Sequence, residues 1–98
     1  MPKGENGITY FYLVKYTEKG IGQSAERSRT ERDAITRRVK EARGTCRLWA
    51  TPGGAYDYVS VITGISPEAA LQIAMLIEQN GEVRVTLLSG LSGPIVRK

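Results

Sequence analysis

The clearest pattern in the chain lies between Gly53 and Gly64, where a glycine-rich turn leads into residues that alternate in chemistry. Successive side chains of a strand point to opposite faces of a sheet. The alternation therefore predicts a strand with two different faces. Tyr56, Tyr58, Ser60 and Ile62 would lie on a tyrosine-bearing face, and Asp57, Val59, Val61 and Thr63 on a mostly aliphatic one.

Three further stretches are rich in the β-branched and aromatic residues that favour strands, and they cover residues 8–16, 46–51 and 82–89. The first of them has apolar residues in both parities. Tyr10, Tyr12, Val14 and Tyr16 share one face, and Phe11 and Leu13 share the other. A strand that is apolar on both faces is predicted to be central in its sheet and covered on both sides.

A first helix is predicted over residues 28–43. Ser28 and Glu31 are three residues apart, as in a capping box, in which two side chains bond backbone N–H groups at the start of a helix. Gly44 is expected to supply the left-handed residue that ends this helix. The apolar stripe of the helix is narrow and consists of Ile35, Val39 and Ala42.

A second helix is predicted from Ser66 as the N-cap, through Pro67 at the first helical position, to the Asn80–Gly81 pair. Four residues at helical spacing form its core stripe: Ala70, Ile73, Ala74 and Ile77. Further apolar residues lie outside that stripe, among them Leu71, Met75 and Leu76. Because a helix with its outer side in water needs only one apolar stripe, part of this helix is expected to contact a partner chain.

The predicted order of elements, β-α-β-β-α-β, indicates an α+β fold of the ferredoxin-like type, a four-stranded antiparallel sheet with both helices on one face. We expect a flexible N-terminus over residues 1–7, one domain over residues 8–90 and a C-terminal tail over residues 91–98. Two helices cover only one face of such a sheet. The other face is therefore predicted to be open.

The register between the second and third strands decides which residues share the open face. A four-residue turn over residues 52–55 would place Trp49 opposite Tyr58, and opposed residues lie on the same face. Arg47 and Trp49 then join the tyrosine-bearing face, and the aliphatic face lies under the helices. The open face is predicted to carry all five tyrosines, Tyr10, Tyr12, Tyr16, Tyr56 and Tyr58. An aromatic surface of this size is rarely left bare in a monomer, which favours a homodimer or a higher oligomer.

Composition excludes some classes of site. The 98 residues include no histidine and one cysteine, Cys46, so the chain cannot form an intramolecular disulfide, and a zinc site is not expected. No cofactor is predicted. The net charge of +4 gives a weak field, and nucleic acid is not an expected partner. With no apolar run long enough to span a membrane and no signal region, we expect a cytoplasmic protein without membrane contact.

Three motifs resemble the GYD domain family, which is named after a Gly-Tyr-Asp signature at the start of the third strand. The matching residues are Gly54, Tyr56 and Asp57, and two further matches are residues 17–21, Thr-Glu-Lys-Gly-Ile, and residues 28–32, Ser-Arg-Thr-Glu-Arg. The chain departs from the family in having Ala55 where an acidic residue is common. The resemblance implies a ferredoxin-like fold of the dimeric α/β-barrel type. It implies no activity, because the family is functionally uncharacterised.

The candidate ligand-binding or interface residues are those of the predicted open face: Tyr10, Tyr12, Arg47, Trp49, Tyr56 and Tyr58. A plain dimer interface and an interface that encloses a pocket both remain open. Asp57 could serve as a general base, but a carboxylate beside a turn more often accepts backbone N–H bonds from the neighbouring glycines, and that structural role is expected. Residues 20–25, Gly-Ile-Gly-Gln-Ser-Ala, match a dinucleotide fingerprint, which we interpret as coincidental because no parallel strand-to-helix unit surrounds them.

The predicted function is a small-molecule-binding or interaction module whose partner is a second copy of the chain. One alternative is an RNA-binding domain that stacks bases on Tyr12, Tyr56 and Tyr58. Another is a cofactor-free enzyme similar to small monooxygenases. No catalytic residue is assigned, and a binding module is favoured over an enzyme because the chain lacks histidine and a paired-carboxylate motif.

Overall fold

A computed structural model describes residues 7–23, 25–51 and 53–91 of the chain. The elements are β1 (Ile8–Tyr16), α1 (Glu18–Ile21), α2 (Ala25–Glu41), β2 (Thr45–Ala50), β3 (Tyr58–Thr63), α3 (Pro67–Glu78) and β4 (Val83–Leu91). The four strands form one antiparallel sheet in the order β2-β3-β1-β4. This arrangement confirms the predicted α+β, ferredoxin-like fold. Most of the predicted N-terminal segment and C-terminal tail, residues 1–6 and 92–98, lies outside the described residues.

The connection after β1 contains a short helix, α1, that the sequence pattern did not predict. Thr17 is its N-cap and accepts a hydrogen bond from the backbone N–H of Gly20. Thr17 also binds the start of β4, because its backbone N–H donates to the carbonyl of Glu82 at 3.0 Å. A side chain at Gly20 would collide with that same carbonyl. Gly20, the first glycine of the apparent dinucleotide fingerprint, therefore allows the backbone after β1 to pack closely against Glu82.

Helix α2 begins at Ala25, so the prediction that it starts at Ser28 with a capping box is wrong. Its end also differs from the prediction. The backbone N–H of Gly44 donates to the carbonyl of Val39 and that of Arg43 to Lys40, the two bonds of a Schellman motif. The left-handed residue of this motif is Arg43, with φ of 69°, and not Gly44.

Helix α3 starts as predicted. The Ser66 side chain accepts a hydrogen bond from the N–H of Ala69, and Pro67 is the first helical residue. Ala70, Ile73 and Ala74 are buried against the sheet, as the helical spacing predicted. Leu71, Met75 and Leu76 are exposed on its outer side.

The core between the helices and the sheet contains three of the five tyrosines. Tyr10, Tyr12 and Tyr58 are at most 3% exposed, and they share the helix-covered face with Val14, Ser60 and Ile62. The prediction that the tyrosine-bearing face is open is therefore wrong. The predicted register is wrong by one residue, since Trp49 lies opposite Val59 and Ala50 opposite Tyr58. A slip of one residue moves every side chain of a strand to the other face of the sheet.

Small side chains explain why the rings fit beneath the helices. Tyr12 lies opposite the small residue Ser60, and its hydroxyl donates a hydrogen bond to the carbonyl of Ala70 at 2.5 Å. Both Ala70 and Ala74 of α3 are buried and leave room for large neighbours. A tyrosine is stable in such a place because its ring is apolar and its hydroxyl can reach a backbone acceptor.

Candidate functional site

The face of the sheet opposite the helices is open among the described residues, and we refer to it as the open face. Its residues alternate with the buried ones and are aligned across the strands by the register. They are Thr45, Arg47 and Trp49 of β2; Val59, Val61 and Thr63 of β3; Thr9, Phe11, Leu13 and Lys15 of β1; and Arg84, Thr86, Leu88 and Gly90 of β4.

The centre of the open face is apolar. Leu13 lies opposite Val59, and Phe11 opposite Val61, on the two central strands. These four side chains are only half-buried. Trp49 and Leu88 extend the apolar area to the outer strands and are 51% and 48% exposed. A contiguous apolar area with this exposure is typical of a surface that contacts another molecule.

Polar groups border this centre in a defined pattern. Thr45, Thr63 and Thr9 lie opposite one another on three successive strands and form a row of hydroxyl groups. Arg47 is exposed beside this row, opposite Val61. Lys15 and Arg84 lie opposite each other at the other end of the face. The face can therefore offer both apolar contact and hydrogen-bond donors.

The Gly-Tyr-Asp turn between β2 and β3 joins three strands. The backbone N–H of Asp57 donates to the carbonyl of Val14, and its carbonyl accepts from the N–H of Thr51. The Asp57 carboxylate accepts a further bond from the N–H of Tyr16 at 2.7 Å. The carboxylate therefore accepts a backbone N–H bond, as expected, but the donor is Tyr16 of β1 and not a neighbouring glycine. The hydroxyl of Thr51 donates to the carbonyl of Tyr56, which holds the half-buried Tyr56 within the turn.

Beneath α2, Arg32 contacts two aromatic side chains. Its guanidinium lies 6.0 Å from the centre of the Tyr58 ring and donates a 3.1 Å hydrogen bond to the Tyr16 hydroxyl. The rings of Tyr16 and Tyr58 are 6.0 Å apart. Burial, together with the neighbouring Tyr16, raises the pKa of Tyr58, and Arg32 offsets only part of that rise. Since Tyr58 is 1% exposed, this cluster is part of the packed core.

Five of the six predicted site residues separate into two groups, and the sixth, Tyr56, lies half-buried in the turn before β3. Arg47 and Trp49 lie on the open face, as expected. Tyr10, Tyr12 and Tyr58 lie beneath the helices, and their predicted place on an open interface is wrong. The proposed stacking of RNA bases on Tyr12 and Tyr58 is wrong for the same reason, because both rings are inaccessible.

The sequence pattern did not reveal the apolar centre of the open face, namely Phe11, Leu13, Val59 and Val61, or its extension to Leu88. The alternation of the strands grouped Val59 with Val61 and Phe11 with Leu13 correctly. What it assigned wrongly was the side of the sheet on which the helices pack. The size of the helix residues is the sequence signal that could have indicated the covered side. Ala70 and Ala74 are small and leave room for large rings beneath the helix.

Two broad classes of site find no support among the described residues. No group of three or more histidine, cysteine, aspartate or glutamate side chains there could hold a metal ion. Within the same part of the chain, no helix has the length and apolar character needed to cross a bilayer.

The motifs, the fold and a comparison with protein families agree. A comparison with curated proteins found no match. The GYD domain matches over residues 10–93, which include all four strands except the first two residues of β1, and all three helices. With the Gly54, Tyr56 and Asp57 signature at the turn before β3, the chain belongs to the GYD domain family.

Proposed function

We propose that this GYD domain is a homodimeric binding module in which the open faces of two copies pack against each other and enclose a small molecule. The observation that supports it is the uncovered apolar centre formed by Phe11, Leu13, Val59 and Val61, with Trp49 and Leu88 at its sides. The interface is the face opposite to the tyrosines.

The size of the open face agrees with a dimer interface. Four strands about 4.8 Å apart and six to nine residues long give a flat area of roughly 500 Å². Projecting side chains increase that area toward the roughly 800 Å² per partner that a standard interface buries. The residue types of the open face also agree with an interface. Phe11, Trp49 and Arg47 lie on it, and aromatic side chains and arginine are enriched at interfaces.

A two-fold axis through the sheet centre would bring identical apolar residues together. In such an interface the same surface is used by both copies and must complement itself. Sheets that pack face to face lie about 10 Å apart, which is enough for side chains from both copies to meet. Where short side chains oppose each other, as in the threonine row, the same spacing leaves room for a small ligand.

Sedimentation of matched arginine variants tests the dimer. We expect the wild type to sediment as a dimer at micromolar concentration, and Trp49→Arg and Leu88→Arg each to shift it to the monomer. Both residues are about half exposed in one protomer, so neither change should disturb its folding. A cation buried within an apolar interface is costly unless it finds a partner.

Met75→Arg on α3 is the matched control, because Met75 is 61% exposed on the opposite side of the protomer. This variant should remain dimeric. If Met75→Arg dissociates the dimer while Trp49→Arg does not, the interface lies on α3 and the proposed use of the open face is wrong. A monomeric wild type would contradict the dimer itself.

A further inference from the structure

Within the four strands, the charges on the open face are all positive, and they belong to Lys15, Arg47 and Arg84. Asp57, just before β3, has the same parity, but its carboxylate accepts a hydrogen bond from the backbone N–H of Tyr16 at the end of the face away from Arg47. In a two-fold dimer each face meets a copy of itself. The partner's open face therefore supplies no carboxylate for these cations, and an anion must come from elsewhere.

The two basic ends of the face differ in their surroundings. Lys15 and Arg84 line an open depression of about 600 Å³ whose lining also includes Glu18 and Lys19. A neighbouring depression contains both Arg84 and Glu78. These carboxylates reduce the positive potential at that end. Like charges directly opposite each other, as Lys15 and Arg84 are, also repel, so they are expected to turn toward solvent and the carboxylates.

Arg47 has no such neighbour. Its side chain is exposed and makes no hydrogen bond or ion pair with any described residue. On the same face of β2, Trp49 lies on one side of it and Thr45 on the other, and Val61 lies opposite on β3. A guanidinium taken out of water by a dimer interface carries a large desolvation penalty unless it is paired.

We infer that the open face binds an apolar, flat ligand that carries one anionic group, with Arg47 pairing the anion. The guanidinium can donate two parallel hydrogen bonds to an oxyanion, and the hydroxyl groups of Thr45 and Thr63 lie next to it as further donors. Trp49, Val61 and Phe11 cover the apolar part. This inference rests on the proposed function, because the second copy closes the site.

Two fluorescent probes that differ by one anionic group test the inference. 8-Anilinonaphthalene-1-sulfonate and N-phenyl-1-naphthylamine share the same ring systems, and only the first carries a sulfonate. Trp49 is the only tryptophan of the chain, so energy transfer from it to either probe reports binding to the protein. We expect the wild-type dimer to bind the sulfonate more tightly than the neutral probe.

Arg47→Gln should weaken binding of the sulfonate by about tenfold or more and leave the neutral probe unchanged, as expected for the loss of a charge-assisted hydrogen bond. Arg37→Gln removes the same charge from an exposed position on α2 and should have no effect. Arg84→Gln, on the open face itself, should have a much smaller effect than Arg47→Gln.

The mass of each sample, measured by sedimentation, separates the two proposals. A dimeric wild type that binds both probes equally, or an Arg47→Gln dimer that binds the sulfonate as the wild type does, overturns the assignment of Arg47 and leaves the dimer standing. A larger loss with Arg84→Gln than with Arg47→Gln overturns it as well. A monomeric wild type overturns the proposed function and, with it, the enclosed anion site.

Discussion

The carboxylate of Asp57 and the backbone N–H of Tyr16 are joined by a hydrogen bond of 2.7 Å, although the two residues are 41 positions apart. This bond links the family's Gly-Tyr-Asp turn to the end of β1. Because the backbone of Asp57 also bonds Val14 and Thr51, one residue holds three adjacent strands at the same end of the sheet. The aspartate of the signature therefore has a structural role.

Asp57→Asn should lower the free energy of unfolding by about 1–3 kcal/mol, the range for a hydrogen bond to a charged group. Urea titrations at one fixed protein concentration measure this, because the stability of the proposed dimer would depend on concentration. Asp33→Asn on the exposed side of α2 is the control and should unfold as the wild type does. An Asp57→Asn variant with wild-type stability would show that the bond to Tyr16 contributes nothing.

The two buried hydroxyl groups on β1 should respond differently to removal. The Tyr12 hydroxyl donates to the carbonyl of Ala70, whereas the Tyr10 hydroxyl is buried without a partner among the described residues. Tyr12→Phe should lower the free energy of unfolding by about 1 kcal/mol. Tyr10→Phe should be neutral or stabilising, because it removes a polar group that is buried without a hydrogen bond. Equal destabilisation in urea titrations would contradict the difference.

Alkaline pH should destabilise the protein through Tyr12 and Tyr58. Burial raises the pKa of both phenols above the ordinary value of about 10. As the pH rises beyond about 10, the unfolded chain loses these protons first, while the folded chain keeps them. The free energy of unfolding should therefore fall above that pH by up to about 1.4 kcal/mol per pH unit for each tyrosine.

Urea titrations between pH 8 and pH 11 check this pH dependence. Tyr58→Phe removes one of the two groups, so its stability should fall less steeply than that of the wild type above pH 10. Identical slopes for the two proteins would show that Tyr58 ionises as readily in the folded chain as in the unfolded one.

The end of α2 allows two opposite predictions at neighbouring positions. Arg43 has a left-handed backbone and an exposed side chain, so Arg43→Gly should raise the free energy of unfolding by up to about 1 kcal/mol. Gly44→Ala should lower it by about 1–3 kcal/mol. The methyl group that this substitution adds would collide with the Ile65 side chain and lie 2.8 Å from the carbonyl oxygen of Thr63. That oxygen belongs to the backbone of the sheet and cannot move freely. Thermal unfolding of both variants measures the changes, and a stable Gly44→Ala would show that this contact can relax.

Elements whose signals are local could be predicted from the sequence. Residues 8–16 were predicted as a strand and form β1 with the same limits. The cap at Ser66 and the buried stripe of α3 were also correct, because a cap and a 3.6-residue period depend only on neighbouring residues. The start of α2 was misplaced, since Ser28 and Glu31 resemble a cap but lie within a longer helix.

The amino-acid sequence by itself determined the four strands, the two long helices and, within each strand, the residues that share a face. It could not determine which face the helices cover. β1 is apolar in both parities, so its pattern is the same whichever side is buried. The choice depends on the register of β2 against β3 and on the fit of Tyr12 and Tyr58 beneath small helix residues, which only the packed structure decides. Because the helices pack on the tyrosine side, the candidate interface moved from the tyrosines to Phe11, Leu13 and Val59, and the one-residue slip placed Trp49 on that same face.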